Sequence, residues 1–125
     1  MTIAFWAILA ACFLPILSTG LAKGGGAQKF DNAAPRAWLE RQTGWRQRAH
    51  WAERNHYEIF PAFAAAVIVA HIAHAPQGWA DALAVAFVAS RLGFIAAYVT
   101  DRPTLRSALW SLGFLCVLGL FAISA

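Results

Sequence analysis

The sequence predicts an all-α integral membrane protein built as a four-helix bundle, and three observations carry that prediction. Sixty per cent of the 125 residues are hydrophobic and only 13% are charged, whereas a soluble domain is nearer half apolar and a quarter charged. The apolar residues fall into four long runs, and nearly all the cations lie between the runs. A chain this short cannot bury so much apolar surface in a water-soluble core, so a bilayer is its expected solvent. The composition also excludes a disordered chain, a collagen and a disulfide scaffold. Cys12 and Cys116 sit far apart in separate apolar runs, which is neither a disulfide framework nor metal-ligand spacing.

The chain reads as a single domain over 1–125, with spans at about 3–22, 45–75, 79–99 and 105–125 and a loop at about 23–44. Each run is near the roughly 20 residues that a helix needs to cross a bilayer. Strands of a membrane barrel would instead show segments of about 10 residues in strict alternation, and none is present. The first run is uncharged and interrupted by Pro15; its first cation, Lys23, follows the apolar stretch. That charge order is the reverse of a signal peptide's, so an uncleaved helix is expected. The second span extends back to Trp45, and Pro61 inside it is expected to kink the helix. Small residues recur in AFAAAVIVA (62–70) and ALAVAFVAS (82–90), where they allow helices to approach closely in lipid.

The loop divides in two. KGGGAQKFDNAAP (23–35) is Gly-rich and reads as flexible, and KGGG lacks the Lys-Ser/Thr ending of a phosphate loop. From Pro35 the chain reads as helical, with Trp38, Leu39 and Trp45 suited to the headgroup layer.

Charge placement sets the topology. Lys23, Lys29, Arg36, Arg41, Arg46, Arg48 and Arg54 lie between the first two spans, and Arg102 and Arg106 between the last two. The positive-inside rule makes both segments cytoplasmic and puts both termini on the other side. The net charge of +4 is thereby explained by membrane orientation, and no nucleic-acid partner is expected.

Ionisable groups inside spans are costly and point to function. Arg48, Arg54, Asn55 and Glu58 cluster at the start of the second span; Asn55 and Glu58 share a helix face, and Arg54 and Glu58 are spaced to pair. Arg91, Phe94 and Tyr98 form one stripe on the third span, with Arg91 expected to meet an acid such as Glu58. Arg106 and Ser107 begin the fourth span and face the same opening. Arginine forks bind carboxylates, a carboxylate receives an ammonium, and a guanidinium favours a thiolate, so the set suits a small polyanionic ligand that carries an amine. The alternative for each residue is an interfacial or structural ion pair. His50 and His56 read as neutral hydrogen-bonding residues. His71 and His74 lack a third ligand, so no metal site is expected.

RAHWAERNHYEIFP (48–61) and SRLGFIAAYVTDRPTLRSALW (90–110) resemble the MAPEG family, the membrane-associated proteins in eicosanoid and glutathione metabolism. The resemblance covers essentially the whole chain. It implies a homotrimer of four-helix subunits that binds glutathione between neighbours near the cytoplasmic face. It carries cofactor contacts onto Arg54, Asn55, Glu58, Tyr98 and Ser107, to which the polar cluster adds Arg48, and catalysis onto Arg106, with Arg91 as the other candidate for activating the thiol. Trp51 stands where animal members place an arginine, Phe94 replaces a tyrosine or histidine, and Ile59 a tyrosine. The implied function is a glutathione-dependent transferase or peroxidase acting on a small hydrophobic electrophile drawn from membrane lipids, with a bacterial inner membrane as the expected location. The alternative is a non-catalytic membrane protein that binds a lipid or small anion, or assembles with partners.

Overall fold

The computed structural model describes residues 1–24 and 28–125. The Gly-rich loop expected over 23–35 falls in part, at 25–27, outside the described residues. Five helices follow in order: α1 (Ile3–Lys23), α2 (Pro35–Glu40), α3 (Gly44–Ile72), α4 (Gln77–Val99) and α5 (Pro103–Ala122). Among the described residues, α1, α4 and α5 are long and apolar enough to cross a membrane. The longest helix, α3, carries Arg46, Arg48, Glu53, Arg54 and Glu58 in its first half.

The turns have local causes. The helical reading from Pro35 into the second span is interrupted at Arg41–Thr43, and α3 restarts at Gly44, whose φ of +63° suits a residue without a Cβ. At the ends of α3 and α4, His74 (φ 54°) and Asp101 (φ 57°) adopt the left-handed conformation. At each turn the following N–H reaches back to close the helix, Ala75 to Ala70 O and Arg102 to Ala97 O. Pro61 does not interrupt α3, which is helical throughout Gly44–Ile72.

Alanines set the packing. Ala4, Ala7 and Ala11 on α1, Ala66 and Ala70 on α3, and Ala80 and Ala84 on α4 are all buried in one core. These short side chains let α1 lie close against α3 and α4. At the centre of this core Phe63 and Phe87 stack with ring centroids 3.8 Å apart. A second core of Leu14, Ala52, Phe94 and Ile95 lies nearer the basic end, and a third joins Ala22, Trp38, Leu39 and Ala49. Trp38 and Leu39 were expected among headgroups; both are buried, because α2 folds back onto α3 and the Trp38 indole donates to Lys29 O at 2.9 Å. The Ala4 N–H at the other end of the molecule donates to the Asp81 carboxylate at 2.7 Å, and Gln77 Nε2 donates to the same oxygen at 2.8 Å.

Helices α4 and α5 meet over Gly113. A Cβ there would stand 2.9 Å from Ser90 Oγ and 3.5 Å from Arg91 Cδ. Gly113→Val is therefore expected to destabilise the protein by about 1–3 kcal/mol through overpacking. Thermal unfolding in detergent would read this, and adding Ser90→Ala should recover part of the loss.

Candidate functional site

Near the basic end of α4, cations and aromatic rings alternate. The Arg91 guanidinium lies 3.9 Å over the Phe94 ring, Phe94 meets Tyr98 edge-on at 5.1 Å, and the Arg106 guanidinium lies 4.7 Å over Tyr98. The tight turn at Asp101 makes this possible, since it returns the chain so that Arg106, one turn into α5, falls back over Tyr98, the penultimate residue of α4. A cavity of about 230 Å³ opens beside the ladder, lined by Asn55 from α3, Phe94 and Tyr98 from α4, and Arg106, Ser107, Trp110 and Ser111 from α5.

Arg91 is not part of the lining but holds two lining residues, bonding to Asn55 and lying over the Phe94 ring. It is only 1% exposed, and a guanidinium so buried must spend its donors on fixed acceptors. Nη2 donates to Asn55 Oδ1 at 2.9 Å and Nε donates to His56 Nδ1 at 3.4 Å. The Asn55 amide nitrogen then donates to Glu58 Oε2 at 3.3 Å. The expected Arg91–Glu58 ion pair is absent; the carboxamide stands between the two charges and bonds to both. Arg54 and Glu58 do not pair either. Among the described residues no arginine or lysine pairs with a carboxylate, and the one contact of that kind is the hydrogen bond between His50 Nδ1 and Glu53 Oε2, 3.0 Å apart.

A profile of the MAPEG family matches residues 3–125. The chain belongs to the MAPEG family. No curated protein matches it. MAPEG membership and the three apolar helices make this an integral membrane protein of a family concerned with glutathione and eicosanoid metabolism.

Within this MAPEG chain the residues singled out by sequence fall into three places. Asn55, Tyr98, Arg106 and Ser107 line the cavity, and Arg91 reaches it through its contacts with Asn55 and Phe94. Glu58 is exposed at its edge, tied to it through Asn55. Arg48 and Arg54 point elsewhere. The Arg48 fork donates to Tyr98 O and Val99 O, at 2.9 and 3.1 Å, and so satisfies the end of α4. Arg54 lines a different cavity with Arg36, Leu39, Glu40, His50, Glu53 and Tyr57. Lys23 rests over the Phe30 ring and lines a third hollow with Glu53 and Tyr57. Trp51 is exposed on α3 and lines none of these cavities. Sequence reasoning missed Trp110 and Ser111; their spacing from Arg106 and Ser107, four residues on, was the available signal. It also left His56 without a specific role.

Proposed function

We propose that the protein is a glutathione-dependent transferase or peroxidase that acts on a lipophilic electrophile taken from the bilayer. The observation that carries this reading is the cavity in which Arg106, Tyr98, Ser107 and Asn55 converge, with buried Arg91 bonded to Asn55. In this reading Arg106 stabilises the glutathione thiolate electrostatically, with Arg91 as the alternative. Asn55 and Ser107 hold the peptide, Tyr98 orients it, and Glu58 receives the α-ammonium. The thiolate attacks the electrophile, forming the carbon–sulfur bond as the leaving group departs with its electron pair.

The cavity's size supports a partner subunit. At about 230 Å³ it is below the roughly 300–1,000 Å³ of complete small-molecule sites. A second copy in a homotrimer supplies the missing wall, and Arg54, outward on α3, is placed to serve a neighbour's cavity. Arg48 then acts on the site only through the end of α4.

Helix α3 is the fourth span in this reading, completing a four-helix bundle over 1–125. Its uncharged part from Ile59 to Ile72 is about 21 Å long, short of a hydrocarbon core of about 30 Å. The polar cluster at Asn55–Glu58 therefore sits at the edge of the apolar layer, where glutathione enters from water and the electrophile from lipid. The basic segments between α1 and α3 and between α4 and α5 face the cytoplasm, in a bacterial inner membrane.

One observation favours the alternative, a non-catalytic membrane protein that binds a lipid or small anion or assembles with partners: exposed Trp51 stands where the family resemblance places an arginine fork, and such a loss is not conservative. Titrating glutathione into detergent-purified protein, following the ultraviolet thiolate band and assaying conjugation of an aryl halide separates the readings. Binding, thiolate and product are expected together. Binding without product keeps the site and removes the enzyme claim, and no binding at millimolar glutathione supports the alternative.

A further inference from the structure

Pro15 has no N–H, so the carbonyl four residues before it, Ala11 O, cannot receive the usual helical hydrogen bond. Ala11 is fully buried, and a buried carbonyl needs a donor. His56 supplies it: Nε2 lies 2.9 Å from Ala11 O, and His56 is also fully buried. That bond fixes the ring's chemistry, because a neutral imidazole that donates through Nε2 has only Nδ1 left as an acceptor. Arg91 Nε donates to that Nδ1.

The consequence passes along the guanidinium. The fork is planar and rigid, so holding Nε in place also sets the direction of Nη2, which donates to Asn55 Oδ1. An arginine has donors only, so this contact fixes which way the carboxamide lies. Its oxygen is engaged by Arg91, and its N–H₂ group, already donating to Glu58, is the part turned toward the cavity edge. Asn55 thus keeps one N–H free for the ligand, while one lone pair of its oxygen is already taken by Arg91.

We propose that His56 is a positioning residue which, tied to the carbonyl released by Pro15 and acting through Arg91, locks the Asn55 carboxamide with its N–H₂ group presented to an acceptor on the ligand. The ligand atom it meets is a carboxylate or peptide carbonyl oxygen. The assignment of that ligand as glutathione rests on the function proposed above, whereas the lock itself is a property of the unliganded protein.

Two readouts separate these levels. The chain has only two asparagines, Asn32 and Asn55, so ¹⁵N-asparagine labelling in detergent reports the Asn55 side-chain amide almost alone. His56→Phe keeps a ring and removes both hydrogen bonds. It should shift and broaden the Asn55 amide signal and weaken glutathione binding about tenfold, with kcat at saturation largely kept. His56→Gln retains one donor and one acceptor; it should restore the signal and bring affinity to within about threefold of the parent. Pro15→Ala returns a helical donor to Ala11 O without touching the site, and should produce the same amide shift in part.

An unchanged Asn55 signal and affinity in His56→Phe, or equal loss in His56→Gln, overturns the proposal. If the parent binds no glutathione, the functional reading fails while the amide signals still decide the lock. Should His56→Phe fail to fold, Pro15→Ala and His56→Gln decide it.

Discussion

Arg106→Ala is expected to abolish the thiolate band of bound glutathione and lower kcat/KM for aryl-halide conjugation by about 10²–10³, the usual cost of removing one preorganised charge-stabilising donor. Glutathione affinity should change by less than about fivefold. The Arg106 guanidinium rests on the Tyr98 ring and at the cavity wall, and the fold asks little else of it, so its loss should register in chemistry more than in stability. The absorbance measurement also decides between the two candidate activators. If Arg106→Ala keeps the thiolate and Arg91→Met loses it, activation belongs to Arg91.

The Arg91→Met variant should show the opposite balance. Methionine fills much of the buried volume, and replacing a buried charge by an apolar side chain is often tolerated. It nevertheless leaves His56 Nδ1 without its donor, at a cost of about 1–3 kcal/mol, and frees the Asn55 amide to turn. Glutathione binding should weaken roughly 10- to 100-fold, as expected for loss of a charge-assisted hydrogen-bond network worth about 1.5–3 kcal/mol. Calorimetric titration and thermal unfolding in detergent measure the two parts. Unchanged affinity would contradict the role given to the Arg91–Asn55 contact.

Much of the fold was legible because charge-free runs long enough to span a bilayer leave few other structures open. The runs at about 3–22, 79–99 and 105–125 correspond to α1, α4 and α5. The break between α2 and α3 was harder to see. Arg41–Thr43 has no proline, and only Gly44's positive φ reveals why the helix stops and restarts there. Trp38 was read as interfacial from its type, but docking of α2 on α3 is a tertiary event that burial of the indole makes worthwhile.

The site was legible in membership and less so in wiring. The stripe Arg91, Phe94, Tyr98 follows from helical spacing, and the turn at Asp101 brings Arg106 onto it. Charge reasoning paired Arg91 with Glu58 because opposite charges attract. In the structure geometry prevails, since neutral Asn55 and His56 lie nearer and accept the guanidinium's donors directly. Arg48 had looked like a ligand contact because it clusters with Arg54, Asn55 and Glu58 at the start of the second span. Instead it serves part-buried carbonyls at the end of α4, a demand that emerges only once α3 and α4 are packed.

The bond from the Ala4 N–H to Asp81 spans 77 positions of sequence. A ribosome makes α1 long before it has made the Asp81 side chain that accepts from its first turn. Until then this end has the packing of Phe5 on His71 and the Thr2 cap on the Phe5 N–H, but no acceptor for the Ala4 N–H from α4. The last hydrogen bond that seats α1 therefore comes from α4, and a nascent chain halted before Asp81 would lack it.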